Sequence, residues 1–135
     1  DLTKIENEQF IKIAINHPKG TEEHVYKNVL AFEKYGLKVV VSGEVWLDIM
    51  NRKSNKGVAL ETLMKKLNIS SEEIMVFGDF MNDLEMLNLA KYSFAMQNAH
   101  PIVKNAANFL APSNDDDGVL ETIKNYLQQL EIVNT

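Results

Sequence analysis

Three observations predict an α/β fold built on a parallel sheet. From residue 57 onward the sequence alternates helix, strand, helix, strand, helix, strand, helix, the order of a doubly wound layer. The run Ile74-Met75-Val76-Phe77 is apolar without interruption over strand length, as strands covered on both faces by helices are. The first 50 residues instead read strand, helix, strand, strand, an α+β unit.

The elements follow in order. In Phe10 to Ile15, isoleucines at 11, 13 and 15 alternate with Lys12 and Ala14, which predicts a strand. Asn16-His17-Pro18-Lys19-Gly20 is turn chemistry. Thr21 is a candidate cap for a helix with Glu22 and Glu23 in its first turn. Val25, Val29 and Phe32 share one face of that helix, and Gly36 ends it. Leu37 to Val41 and Glu44 to Met50 read as two strands joined at Ser42-Gly43 into a hairpin. Asn51 to Gly57 is polar and basic, a loop and a lobe boundary. Leu60, Leu63, Met64 and Leu67 recur at helical spacing. Ser70 and Glu73 form a capping-box pattern for a brief helical turn. After the apolar run comes Gly78-Asp79-Phe80-Met81-Asn82-Asp83, then a helix to Ala90, a strand over Tyr92 to Met96 and a helix opened by Pro101. A short strand at Phe109 to Ala111, an acidic loop at 114–118 and a final amphipathic helix with Leu120, Ile123, Leu127 and Leu130 complete the chain.

Composition narrows the function classes. The chain has 135 residues, 45% hydrophobic and 24% charged, a globular balance. Cysteine is absent, which excludes disulfides, thiolate nucleophiles and zinc–thiolate sites. The net charge of −5 argues against a general nucleic-acid binder. No apolar run reaches the roughly 18 residues of a membrane span. The start, Asp1-Leu2-Thr3-Lys4, shows no basic region followed by an apolar stretch, so a cytoplasmic setting is expected.

The sharpest chemical feature is the segment from Gly78 to Asp83, where a buried strand gives way to a helix. Ligands of open α/β sheets bind beyond the carboxyl ends of the strands. Asp79 and Asp83 put two carboxylates in one short loop, with the Asn82 amide between them. Oxygen-rich sets of this kind suit Mg²⁺. The same string also serves as a turn and helix cap, and taken alone it does not decide between the two. Lys56 stands at another strand-to-helix junction, where an ammonium can neutralise phosphate, although an isolated lysine is ordinarily a solvated surface residue. Asn98, at a third junction, is a helix cap or a ligand-facing amide. His100 reads as a loop residue and not as a base or metal ligand, and His17 and His24 form no ligand spacing with each other. The methionines read as core filler, and Trp46 falls out of phase with Val45 and Leu47.

Taken together, Lys56-Gly57, the string from Gly78 to Leu87, Ala95-Met96-Gln97-Asn98-Ala99 and Asp117-Gly118-Val119 resemble the Cof-type branch of the haloacid dehalogenase (HAD) phosphatase superfamily. Order and spacing match along most of the stretch from 45 to 127. The resemblance implies a Mg²⁺-dependent phosphomonoester hydrolase of small, sugar-phosphate-like metabolites, working through an aspartyl-phosphate. It implies that residues 1–50 are the closing part of an α/β cap and residues 51–135 the C-terminal half of a HAD-like Rossmann core, a parallel sheet with helices on both faces. By motif position, Lys56 contacts the phosphate and the nucleophile, Asp79 ligates Mg²⁺, and Asp83 supports the metal through water or hydrogen bonds. Asn82 bonds the phosphate or orders the loop, and Asn98 lies beside the substrate.

The family's D-x-D-G-T/V nucleophile motif is missing near the start of this sequence, as is the Ser/Thr motif that precedes the cap. The expectation is therefore a C-terminal part of a longer protein, inactive alone, whose exposed core surface invites self-association. Two alternatives stand beside it. Asp115-Asp116-Asp117-Gly118-Val119 is itself a D-x-D-G-V string, so Asp115 and Asp117 form a candidate nucleophile pair in a rearranged site. The other is a degenerate, non-catalytic module that binds phosphometabolites or a protein.

Overall fold

A computed structural model describes residues 10–133. The chain divides into two compact units, one up to Asn55 and one from Lys56 onward.

The first unit holds strands β1 (Lys12–Asn16), β2 (Leu37–Gly43) and β3 (Trp46–Asn51) in an antiparallel sheet of order β1-β3-β2. Opposite residues in an antiparallel pair share a face. The register puts Ile49 beside Val39 and Leu47 beside Val41, and these four are buried. The alternate face carries Asp48, in register with Ala14 on one side and Val40 on the other. Lys12 Nζ donates to Asp48 Oδ2 at 3.1 Å. The hairpin forms as expected, but its turn is at Glu44 and Val45, beyond Ser42-Gly43, with an irregularity in the ladder between Val41 and Gly43. Trp46 is half exposed.

The single helix expected from Thr21 to Gly36 is broken into pieces. Helix α1 (Thr21–His24) ends at Val25, whose φ of −120° is not helical, and α2 (Tyr26–Val29) runs into a tighter 3₁₀ segment over Leu30–Tyr35. The predicted Thr21 cap does not form: Gly20 holds the cap position, Thr21 is already the first helical residue, and its Oγ1 has no hydrogen-bond partner among the described residues. β-Branched Val25 and Val29 sit at both breaks, where they lose rotamer freedom in a continuous helix. Gly36 closes the segment with φ +78°, as its position predicts.

The second unit contains α3 (Lys56–Leu67), β4 (Met75–Gly78), α4 (Leu84–Leu87), β5 (Tyr92–Met96), α5 (Pro101–Ala106), β6 (Phe109–Ala111) and α6 (Gly118–Val133). Its three strands are parallel, in the order β4-β5-β6, so their carboxyl ends share one edge. Val76, Phe94, Met96, Leu87, Val103 and Ala111 are buried in one core cluster. Phe77 stacks on Phe94 and Phe94 on Phe109, running across the three strands. Ser70 and Glu73 do meet, with the Ser70 amide donating to Glu73 Oε2 at 2.9 Å, but they close a turn and no helix follows.

Two apolar stripes end up less covered than their spacing predicts. On α3, Leu60 and Met64 are half-buried, while Leu63 and Leu67 are exposed. On α6, Leu120, Ile123, Leu127 and Leu130 are all exposed.

Candidate functional site at the carboxyl ends of the parallel strands

Strand β4 ends at Gly78, and the chain turns at once. A side chain at Gly78 would bring its Cβ within 2.6 Å of the Asp83 Cβ, so the turn closes only around glycine. Residues Met81–Asp83 make one 3₁₀ turn that returns Asp83 beneath the strand end. There its carboxylate is 2% exposed as a residue and fully engaged. Oδ2 accepts the Asp79 amide at 3.0 Å and the Phe80 amide at 3.4 Å, while Oδ1 accepts the Lys56 ammonium. A buried carboxylate is tolerated only with such a complete set of donors. Asp83 therefore organises the loop, and its charge is balanced by a lysine 27 residues upstream in sequence.

Lys56 reaches this point from the first turn of α3. Next to it, Gly57 lets α3 touch α4 directly, because a Cβ there would lie 2.4 Å from the Glu85 Cβ. The ammonium is thus positioned by helix contact, with half of its side chain in water. Asp79 points into the same space. Burial first, and the Asp83 carboxylate second, raise its carboxyl above the usual carboxylate value, and the Lys56 charge partly offsets this. Asn82 adds a buried side-chain oxygen, Oδ1, for which the described residues supply no hydrogen-bond partner.

The loops after β5 and β6 line the same edge. The His100 amide donates to the Asp79 carbonyl at 2.9 Å, and the His100 ring caps α5 by accepting the Ile102 amide at 3.2 Å. Asn98 Nδ2 donates to Asn114 Oδ1, and the Asn114 amide returns a bond to Asn98 Oδ1 at 3.4 Å. Asp115 is held in a local turn, its amide donating to Ser113 Oγ at 3.2 Å, and Asp117 takes a left-handed φ of +52° before Gly118.

The fold brings Lys56, Asp79 and Asp83 together, with Asn82 in the same loop and Asn98 on the neighbouring one. Asn114 had no signal in the sequence, because a pairing across 16 residues leaves no periodicity to read. Gly57 stood in the Lys-Gly pair, but its role as a helix contact shows only in three dimensions.

A divalent cation fits these residues. The donors are carboxylate and amide oxygens, the hard set that Mg²⁺ prefers. Asp79 carries a carboxylate whose ionisation the surroundings oppose, and Asn82 carries a buried oxygen that lacks a partner. A cation bound at Asp79 would favour its ionised form.

The chain is similar in sequence and fold to known proteins. Phosphatase YwpJ of Bacillus subtilis is 40% identical over 91 residues, 67% of this chain and 32% of the relative. The Escherichia coli 5-amino-6-(5-phospho-D-ribitylamino)uracil phosphatase YbjI is 40% identical over 89 residues, 66% of this chain and 33% of the relative. Among solved structures, SMU.1108c from Streptococcus mutans superposes with a TM-score of 0.83 at 40% identity, covering 95% of this chain and 48% of its own. The chain thus spans less than half the length of each of these proteins. The family model for haloacid dehalogenase-like hydrolases matches residues 1–123, and the chain belongs to that family.

Proposed function

We propose that these residues are the cation- and phosphate-binding half of a Mg²⁺-dependent phosphomonoester hydrolase acting on small sugar-phosphate-like metabolites. The observation that carries this reading is the grouping of Lys56, Asp79 and buried Asp83 at the carboxyl edge of a parallel sheet. The relatives' named activity on a phosphorylated ribitylamino compound supports the substrate class.

Asp79, backed by Asp83, is the residue set for Mg²⁺, which when bound screens the negative charge of the phosphate. Lys56 would add a second positive charge, a point charge carried by the first turn of α3 and paired with Asp83. Asn82 orders the loop and offers its amide to the cation's surroundings or the phosphate, and Asn98 bounds the substrate space on the next loop. In-line attack then needs a carboxylate nucleophile. It adds to phosphorus, the alcohol leaves with a proton from a general acid, and water releases phosphate from the resulting aspartyl-phosphate. In this reading neither the nucleophile nor the acid comes from the gathered residues. Residues 1–50 act as a cap remnant and residues 51–135 as core, in a cytoplasmic enzyme whose exposed apolar stripes favour self-association.

The test is p-nitrophenyl phosphate turnover with Mg²⁺. The isolated chain is expected to show none, while Mg²⁺ shifts the amide resonances of Asp79 and Asp83 in a titration followed by NMR. Robust turnover abolished by Asp115→Asn would overturn this assignment in favour of a site at Asp115 and Asp117. Phosphate binding with no Mg²⁺ response would favour a non-catalytic module.

A further inference from the structure

The three loops at the carboxyl edge are cross-linked in series. The β4 loop joins the β5 loop through the bond from the His100 amide to the Asp79 carbonyl, at 2.9 Å. The β5 loop joins the β6 loop through the two bonds between Asn98 and Asn114. Between these links the β5 loop has little freedom. The Ala99 amide closes a turn onto the Met96 carbonyl at 2.8 Å, Ala99 is buried, and Pro101 fixes the next residue. The far anchor is firm as well. The amides of Asp116 and Gly118 both donate to the Ser113 carbonyl at 3.0 Å. A Cβ on Gly118 would sit 2.1 Å from the Pro112 carbonyl oxygen, so α6 starts hard against the β6 loop.

We propose that Asn98 and Asn114 are a pair of positioning residues, whose reciprocal amide bonds hold the β5 loop against the β6 loop and thereby fix the Asp79 carbonyl, and with it the Asp79 side chain, in the candidate site. This deepens the phosphatase reading and rests on it for its catalytic meaning. The chemistry of the pair is directional. Asn98 gives both its amide oxygen and its amide nitrogen, whereas Asn114 uses only its side-chain oxygen and its backbone amide. An aspartate can therefore replace Asn114 with both bonds intact, and an alanine cannot.

Amide hydrogen exchange on the full chain, followed by NMR, tests this. An exposed side-chain hydrogen bond is worth about fivefold in a local opening equilibrium. In N114A, exchange is expected to rise about fivefold at Asn114 and also at His100, with Phe94 in β5 unchanged as the sign that the fold is intact. N98A, which removes both bonds, should raise exchange at the same residues at least as much, and the double variant should not exceed N98A, since nothing of the link is left to lose. N114D should stay near the parent. Acceleration confined to residues 112–118 in N114A, or equal damage from N114D and N114A, overturns the proposal. In parallel, Mg²⁺ titration read at Asp79 should show roughly threefold weaker binding in N114A and parent-like binding in N114D, a smaller loss than the tenfold or more that follows removal of a group bonded directly to a ligand. No Mg²⁺ response in the parent protein would end the phosphatase reading, while the exchange result would still decide whether the link exists.

Discussion

Among the described residues, two lysine–aspartate pairs have nearly the same exposure. Lys12 and Asp48 have side chains 48% and 6% exposed, and Lys56 and Asp83 have 52% and 3%. The first pair lies across strands of the antiparallel sheet, where Asp48 is flanked in register by Ala14 and Val40. The second lies at the edge of the parallel sheet, where Asp83 also takes two backbone amides and faces Asp79. A buried ion pair is therefore not a site by itself. The strand direction makes the difference. Parallel pairing delivers successive strand ends to one edge, so loops from β4, β5 and β6 meet there, whereas antiparallel pairing sends alternate ends to opposite edges.

The largest expected effect breaks the comparison at its centre. Asp83→Ala should cost about 3 kcal/mol in denaturant unfolding, because it leaves the Asp79 and Phe80 amides without their acceptor and empties a buried position. Asp48→Ala should cost about 1 kcal/mol, since Lys12 can turn to water. Equal losses would mean that the two pairs do the same structural work. Next comes Gly78→Ala, which drives a methyl into the Asp83 Cβ. About 2 kcal/mol is expected, together with faster exchange of the Asp79 amide. A neutral result would show that the loop gives way easily.

The smallest effect concerns pH. The carboxyl of Asp79 is raised, so the folded state holds its proton more tightly than the unfolded chain does. Its contribution to stability is present below the unfolded pKa and is lost as pH rises through the folded one. Asp79→Asn should remove that dependence and leave the protein slightly more stable at neutral pH, by well under about 1 kcal/mol because the group is partly solvated. A less stable D79N would reverse the sign and show that the carboxylate is held by favourable contacts.

The parallel sheet was legible because its strands are continuous apolar runs, as in Ile74 to Phe77. The grouping of Lys56 with the Gly78–Asp83 loop was legible through the motif order, although Lys56 reaches it from the first turn of α3 and only the second motif follows a strand of the parallel sheet. The break in the segment 21–36 was not, because helical spacing of Val25, Val29 and Phe32 says nothing about where β-branched residues fail to hold a continuous turn. The exposure of Leu63 and Leu127 was equally hidden, for periodicity marks an apolar face without saying what covers it. The Asn98–Asn114 link depends on two loops being neighbours in space, which no local pattern encodes.

The meeting of Gly57 with Glu85 has a consequence for how tolerant this architecture is to drift in its sequence. Lysine has a long, pliant stem, and its reach would normally absorb small displacements of the backbone. Here Nζ is tied to one end point, the Asp83 carboxylate, from a helix whose first turn packs on Glu85 at a separation that only glycine allows. Any bulk introduced at position 57 would lift the whole first turn of α3, and the cation would lose its counterion without a single charged residue having changed.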